Sequence, residues 1–187
     1  MDLVPRILTA EQPGLRPVVN IGAGSLCEFL KEDRYRNAYE RPRVDDVEVK
    51  PSANRELVDT LLFGEERSQY YFGSVSLGGT GCRFYGEYCM VLKRERSMDA
   101  KVFDRNSYDL LTPPLSLSED RLGMVVALRG TWRDDITSML TAKVAPELPE
   151  ENRLTTPGQV SDLVSRDEDF AEVHLRGTFV TPRRAPS

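Results

Sequence analysis

The spacing of apolar residues changes several times along the chain, and each change predicts an element. Residues 1–24 carry three prolines and no clear period, which predicts a lead-in segment or an edge strand. Ser25 followed by Glu28 has the form of a capping box. Leu26, Phe29 and Leu30 then give a helix one apolar face, fading near Tyr39 and before Pro42. Residues 40–50 are charged and without helical spacing, as in a loop or edge strand. Ser52 caps a second helix through Leu57, Val58, Leu61 and Leu62, with Gly64 placed as its C-terminal cap. From Tyr70 the period drops to two. It predicts a strand over Tyr70–Leu77, a glycine-rich turn over 78–81 and a long strand over 82–93, with Arg83, Tyr85, Glu87 and Lys93 on one face.

A short strand over 101–104 and a loop over 106–117 follow. The continuous apolar run 124–128 fits a buried strand. Thr131 with Asp134 caps a third helix carrying Trp132, Ile136, Met139 and Leu140. Thr156, Pro157 and Gln159 form another helix start. Residues 167–169 make a charged turn, 170–180 the last strand, and 181–187 a flexible polar tail. Helices early, then strands with interspersed helices, indicate a single α+β domain over 1–180.

Composition narrows the chemistry. The 187 residues are 40% hydrophobic and 29% charged, with mean hydropathy −0.42, enough apolar material for a core. A net charge of −5 and a pI of about 5.1 argue against nucleic acid as a partner. No run approaches the about 18 apolar residues of a membrane span, and the first residues do not have the form of a secretory signal, so a cytoplasmic protein is expected, delivery to another cell remaining open. A single histidine, His174, excludes chemistry that needs several imidazoles. Cys27, Cys82 and Cys89 have neither disulfide nor zinc spacing, so no metal is expected; they read as small buried hydrophobes.

Three polar residues alternate along the last predicted strand: Glu172, His174 and Arg176 share one face. That face is either the solvent side of an edge strand or a carboxylate held rigidly towards a cleft. Ser74 and Ser76 share a face of the strand Tyr70–Leu77. Arg83 and Tyr85, two residues apart, offer a guanidinium for a diphosphate and a ring for stacking, or simply cross-strand packing. Residues 104–109, with Ser107, form a polar run at a strand end, a common place for ligand contacts.

Taken in order, three segments resemble the ADP-ribosyltransferase superfamily, in particular a little-characterised bacterial branch. They are Leu62-Phe63-Gly64 with 71–77; 83–92 leading to Val102-Phe103 and Ser107; and 169–177, similar to a closing strand of the form D-Y-x-E-x-Q-hydrophobic-x-G. The resemblance implies a split, mostly antiparallel sheet preceded by N-terminal helices, and transfer of ADP-ribose from NAD as substrate to a protein or nucleotide acceptor, the activity of a toxin or effector. It implies Glu172 as the catalytic carboxylate, with Arg83, Tyr85, Ser107, Ser74 and Arg36 at the dinucleotide. Family members place an arginine or histidine before the serine-bearing strand. Arg34, Arg36 and Arg55 are the arginines available here, and Ser74, Ser76 and Ser107 those that could brace the glutamate. Phe170 stands where arginine-modifying members carry a second acid, which argues against arginine as acceptor or against activity.

Two other classes are compatible with the sequence. One is a catalytically inactive protein-binding module, of adaptor or immunity type, on the same fold. The other is a cysteine hydrolase using Cys27, in the first turn of a helix, and His174.

Overall fold

The computed structural model describes residues 14–40, 51–79, 81–111, 118–147, 156–177 and 179–180. In chain order the elements are β1 (Leu15–Ile21), α1 (Ala23–Glu32), β2 (Arg34–Tyr35), α2 (Ala53–Phe63), β3 (Tyr70–Leu77), β4 (Tyr88–Val91), β5 (Lys101–Phe103), α3 (Ser107–Leu111), α4 (Glu119–Ala127), β6 (Gly130–Thr131), α5 (Ile136–Val144), α6 (Pro157–Val164), β7 (Ser165–Arg166), β8 (Asp169–Phe170), β9 (Glu172–Arg176) and β10 (Phe179–Val180). Six strands form one sheet in the order β4-β1-β3-β9-β5-β6, every pairing antiparallel. The expected α+β class holds in this form. Among the described residues no helix is long and apolar enough to cross a membrane.

Alternation along the inner strands sends neighbouring side chains to opposite faces. Val102 joins a large core with Trp132, Ile136, Leu140, Val160 and Val173, under α5 and α6. Phe103 joins a smaller cluster with Val58, Leu62, Leu111 and Val125, beneath α2, α3 and α4. On β9, Val173 and Leu175 belong to the large core, so Glu172 and His174 point the other way. Both are buried, because β9 lies between β3 and β5 and not at an edge.

Two helix starts form as their caps predict. The Ser52 side chain accepts from the Arg55 amide, and Thr156 with Gln159 makes a complete capping box. Elsewhere the structure corrects the pattern. β1, in the predicted lead-in, is an inner strand held by β3 and β4. α1 begins two residues before Ser25, with Gly22 as N-cap and no side-chain cap, and ends at Glu32. The run 124–128 lies in α4 and its C-cap, with only Val125 of its large side chains buried; Met124 and Leu128 are exposed. An unbroken apolar run does not distinguish strand from helix, and the Ser118 cap decides for helix. Ser107–Leu111 is helical where a loop is expected. Thr131 and Asp134 do bond to each other, but α5 starts only at Ile136. The last strand is broken into β8, β9 and β10. The expected loop over 41–50 and the tail over 181–187 lie outside the described residues.

The predicted strand over 82–93 splits at Gly86, and this correction matters most for the site. Residues Arg83–Tyr85 form a 3-10 turn, and only Tyr88–Val91 pairs with β1. Gly86 has φ +153°, and a Cβ there would lie 2.1 Å from the Ile21 carbonyl carbon. The chain therefore crosses the end of β1 at a point where no side chain fits. Gly86→Ala is expected to lower stability by at least about 2 kcal/mol, measured as a lower melting temperature, through backbone strain and a clash with main chain.

Candidate functional site

A cavity of about 340 Å³ opens beside the middle of the sheet, with Glu172 in its lining. Within this volume meet Ser74 of β3, Arg55 of α2, Tyr85 of the turn and Phe170 of β8. Tyr35 and Phe72 add further aromatic wall.

Glu172 is only 2% exposed, and such burial alone would favour the neutral acid. Its surroundings reverse that preference. The Ser107 amide donates to Oε2 at 2.8 Å, and His174 Nε2 lies 2.9 Å from the same oxygen. Burial opposes ionisation, but the His174 ring and its hydrogen bond, the Arg55 guanidinium and the Ser107 amide together hold the carboxyl below its ordinary range. Among the described residues, the partners of this carboxylate converge on Oε2. The amide is available because Ser107 opens α3, where the first N–H groups have no partner within the helix.

The imidazole is equally fixed. The rings of Phe63, Phe72 and Phe103 surround it at centroid distances of 5.0, 5.1 and 5.2 Å, and Nδ1 is buried without a partner. Ser107 Oγ lies 3.4 Å from Nε2, the nitrogen that already faces Glu172. A hydrolytic triad needs hydroxyl and acid on opposite ring nitrogens, so Ser107, His174 and Glu172 do not form one. Nor does the structure pair Cys27 with His174: Cys27 stands exposed on α1, while His174 is enclosed. Cys82 is buried as expected and Cys89 half-buried, so the expectation of three buried thiols fails at Cys27.

Arg55 lies 4.0 Å above the Phe72 ring, and its Nε lies 2.9 Å from Asp59 Oδ1. Asp59 in turn accepts from the Tyr39 hydroxyl at 2.7 Å. Burial pushes the Asp59 carboxyl up even against these partners. One guanidinium nitrogen, Nη2, is buried without a hydrogen bond, and so is Ser74 Oγ. Two polar groups without a protein partner in one cavity are costly unless a ligand or ordered water satisfies them. Burial and the Glu172 carboxylate push the Tyr85 hydroxyl up to about 12, so it stays a neutral donor.

The six sequence candidates are thus divided. Glu172, Ser74 and Tyr85 line the cavity, and Ser107 braces Glu172 from behind. Arg83 does not share their face. The 3-10 turn rotates it into a second, more open cavity of about 460 Å³ with Gly79, Ser161, Arg166 and Asp167. Arg36 is paired with Glu32 at 2.7 Å and Arg34 with Glu40, outside the cavity lining; Arg55 is the arginine inside it. Arg176, on the face of Glu172 and His174, emerges at the surface and pairs with Glu66. Asp59 and Tyr39 are not among the sequence candidates for the site, although the four-residue spacing of Arg55 and Asp59 on a helix signals an ion pair. No protein-family model matches this chain, and no curated protein does.

The sign of the Glu172 shift sets a pH dependence. A carboxyl held below its unfolded value of about 4.5 contributes stability fully above that pH, and loses it as pH falls through the lower folded value. Glu172→Gln is expected to cost about 3 kcal/mol near neutral pH. That gap in melting temperature should shrink as pH falls below the ordinary carboxylate range, as parallel thermal melts of the two proteins would record.

Proposed function

We propose that the protein transfers ADP-ribose from NAD⁺ to an acceptor, and that its antiparallel sheet is the split core of the ADP-ribosyltransferase fold. One observation carries this reading: a buried, ionised carboxylate shares a cavity with an unpartnered guanidinium nitrogen and an unpartnered serine hydroxyl. The first suits a developing cation, and the other two suit a phosphate oxygen and a sugar hydroxyl.

The chemistry follows from that arrangement. The bond between ribose C1′ and the nicotinamide nitrogen breaks, and its electron pair leaves with the ring as neutral nicotinamide. Positive charge develops on the ribose as an oxocarbenium-like state. Glu172, ionised and fixed by Ser107 and His174, accepts a hydrogen bond from a ribose hydroxyl and stabilises that charge. Because the carboxylate is held in place beforehand, little reorganisation is needed at the moment of reaction. A lone pair of the acceptor then forms the new bond to C1′, and the acceptor's proton passes to water. Arg55 takes a phosphate oxygen, while Tyr35, Phe72 and Phe170 offer faces and edges to the flat ring. Phe170, in place of a second acid, favours an acceptor other than a guanidinium.

The test is nicotinamide release from NAD⁺ by the purified protein. Wild type is expected to release it, and Glu172→Gln, assayed below its own melting point, to lose about 100-fold or more of the rate. Wild type should also melt higher with NAD⁺, by the equivalent of about 2.7 kcal/mol at a hundred times Kd. No release and no stabilisation at millimolar NAD⁺ would contradict the reading, and stabilisation without release would indicate an inactive binding module.

A further inference from the structure

Phe84 is 77% exposed, the highest value among the large hydrophobic side chains of the described residues. It sits on a turn that is held, not loose. At one end Gly81 has φ +68°, and a Cβ there would lie 2.2 Å from Asn20 Oδ1; at the other end Gly86 is pressed against β1. The Phe84 amide donates to Asp167 Oδ1 at 3.1 Å, and the Gly86 carbonyl accepts from Asn20 Nδ2 at 3.2 Å. A phenyl ring fixed in water gains little from the fold itself. It does form the outer end of a line of rings. Phe84 meets Tyr85 at 5.3 Å, and Tyr85 meets Phe170 at 5.6 Å, each pair nearly perpendicular. Phe170 is buried in the cavity wall two residues from Glu172. A line of rings therefore runs from solvent to the wall of the cavity that Glu172 lines.

The size of the cavity says what this surface is for. About 340 Å³ is near the lower end of the range, about 300–1,000 Å³, of sites for drug-sized ligands. A dinucleotide, with two nucleosides and a diphosphate, overfills it. If the nicotinamide riboside end reaches Glu172 and a phosphate reaches Arg55, the second nucleoside lies outside, at the rim. We propose that Phe84 is the stacking face for the adenine of the dinucleotide, with the perpendicular ring of Tyr85 standing beside it. The inference rests on the NAD⁺ reading and adds a specificity-determining residue to it. The pinned turn means that little ordering remains to be done on binding, which favours affinity.

Titration calorimetry with NAD⁺ and with nicotinamide mononucleotide, which lacks the adenosine, separates the outcomes. Phe84→Ala changes an exposed side chain and is expected to fold normally. It should weaken NAD⁺ binding about tenfold, as loss of one base–aromatic stack does, and leave the mononucleotide affinity unchanged. Phe84→Trp should restore NAD⁺ binding. If Phe84→Ala weakens both ligands equally, or neither, the platform assignment is wrong while the NAD⁺ site stands. If wild type binds neither ligand, both the NAD⁺ reading and the platform fall.

Discussion

A carboxylate cannot stay ionised inside a protein unless neighbouring groups replace the water it has lost. Glu172 meets that condition through groups from separate parts of the chain: the amide that opens α3 and the imidazole two residues along β9, both in contact with it, and the charge of the Arg55 guanidinium on α2. Each group depends on its own framework. The amide is free because it begins a helix, the imidazole is caged by three phenyl rings, and the guanidinium is tied to Asp59. The constraint works in both directions. The carboxylate satisfies the amide and the imidazole, and the arrangement exists only with β9 between β3 and β5 and its polar face turned inwards.

That arrangement gives the cavity its character. An inner strand is rigid, so the carboxylate is positioned without a flexible loop. The turn at 83–85 extends the site outwards, because Gly86 makes the chain cross the end of β1 before it pairs. Tyr85 is thereby directed to the cavity and Arg83 away from it. The buried nitrogen of Arg55 and the hydroxyl of Ser74 are left without partners, which is tolerable in a site that a ligand completes.

Much of this was legible in the sequence where one local rule decided the outcome. The strand Tyr70–Leu77 follows from its strand-forming residues and a period near two, and the helices after Ser52 and Thr156 follow from their caps. Alternation also set Glu172 and His174 on one face, but not whether water or Ser107 would meet them there. Pairing order answers that, and it arises from contacts distant in sequence. Arg83 and Tyr85 show the opposite failure: alternation suggests one shared face, and the glycine directly after Tyr85 breaks the strand. Nothing local distinguishes Arg34, Arg36 and Arg55, because each pairs with an acid close in sequence; only the packing of α2 brings Arg55 into the cavity lining.

The most direct measurement of the central claim is a crystal structure with a non-cleavable NAD⁺ analogue bound. A ribose hydroxyl is expected within hydrogen-bond distance of the Glu172 carboxylate, with a phosphate oxygen on Arg55 Nη2. An analogue bound elsewhere, or in this cavity with its ribose turned away from Glu172, would contradict it.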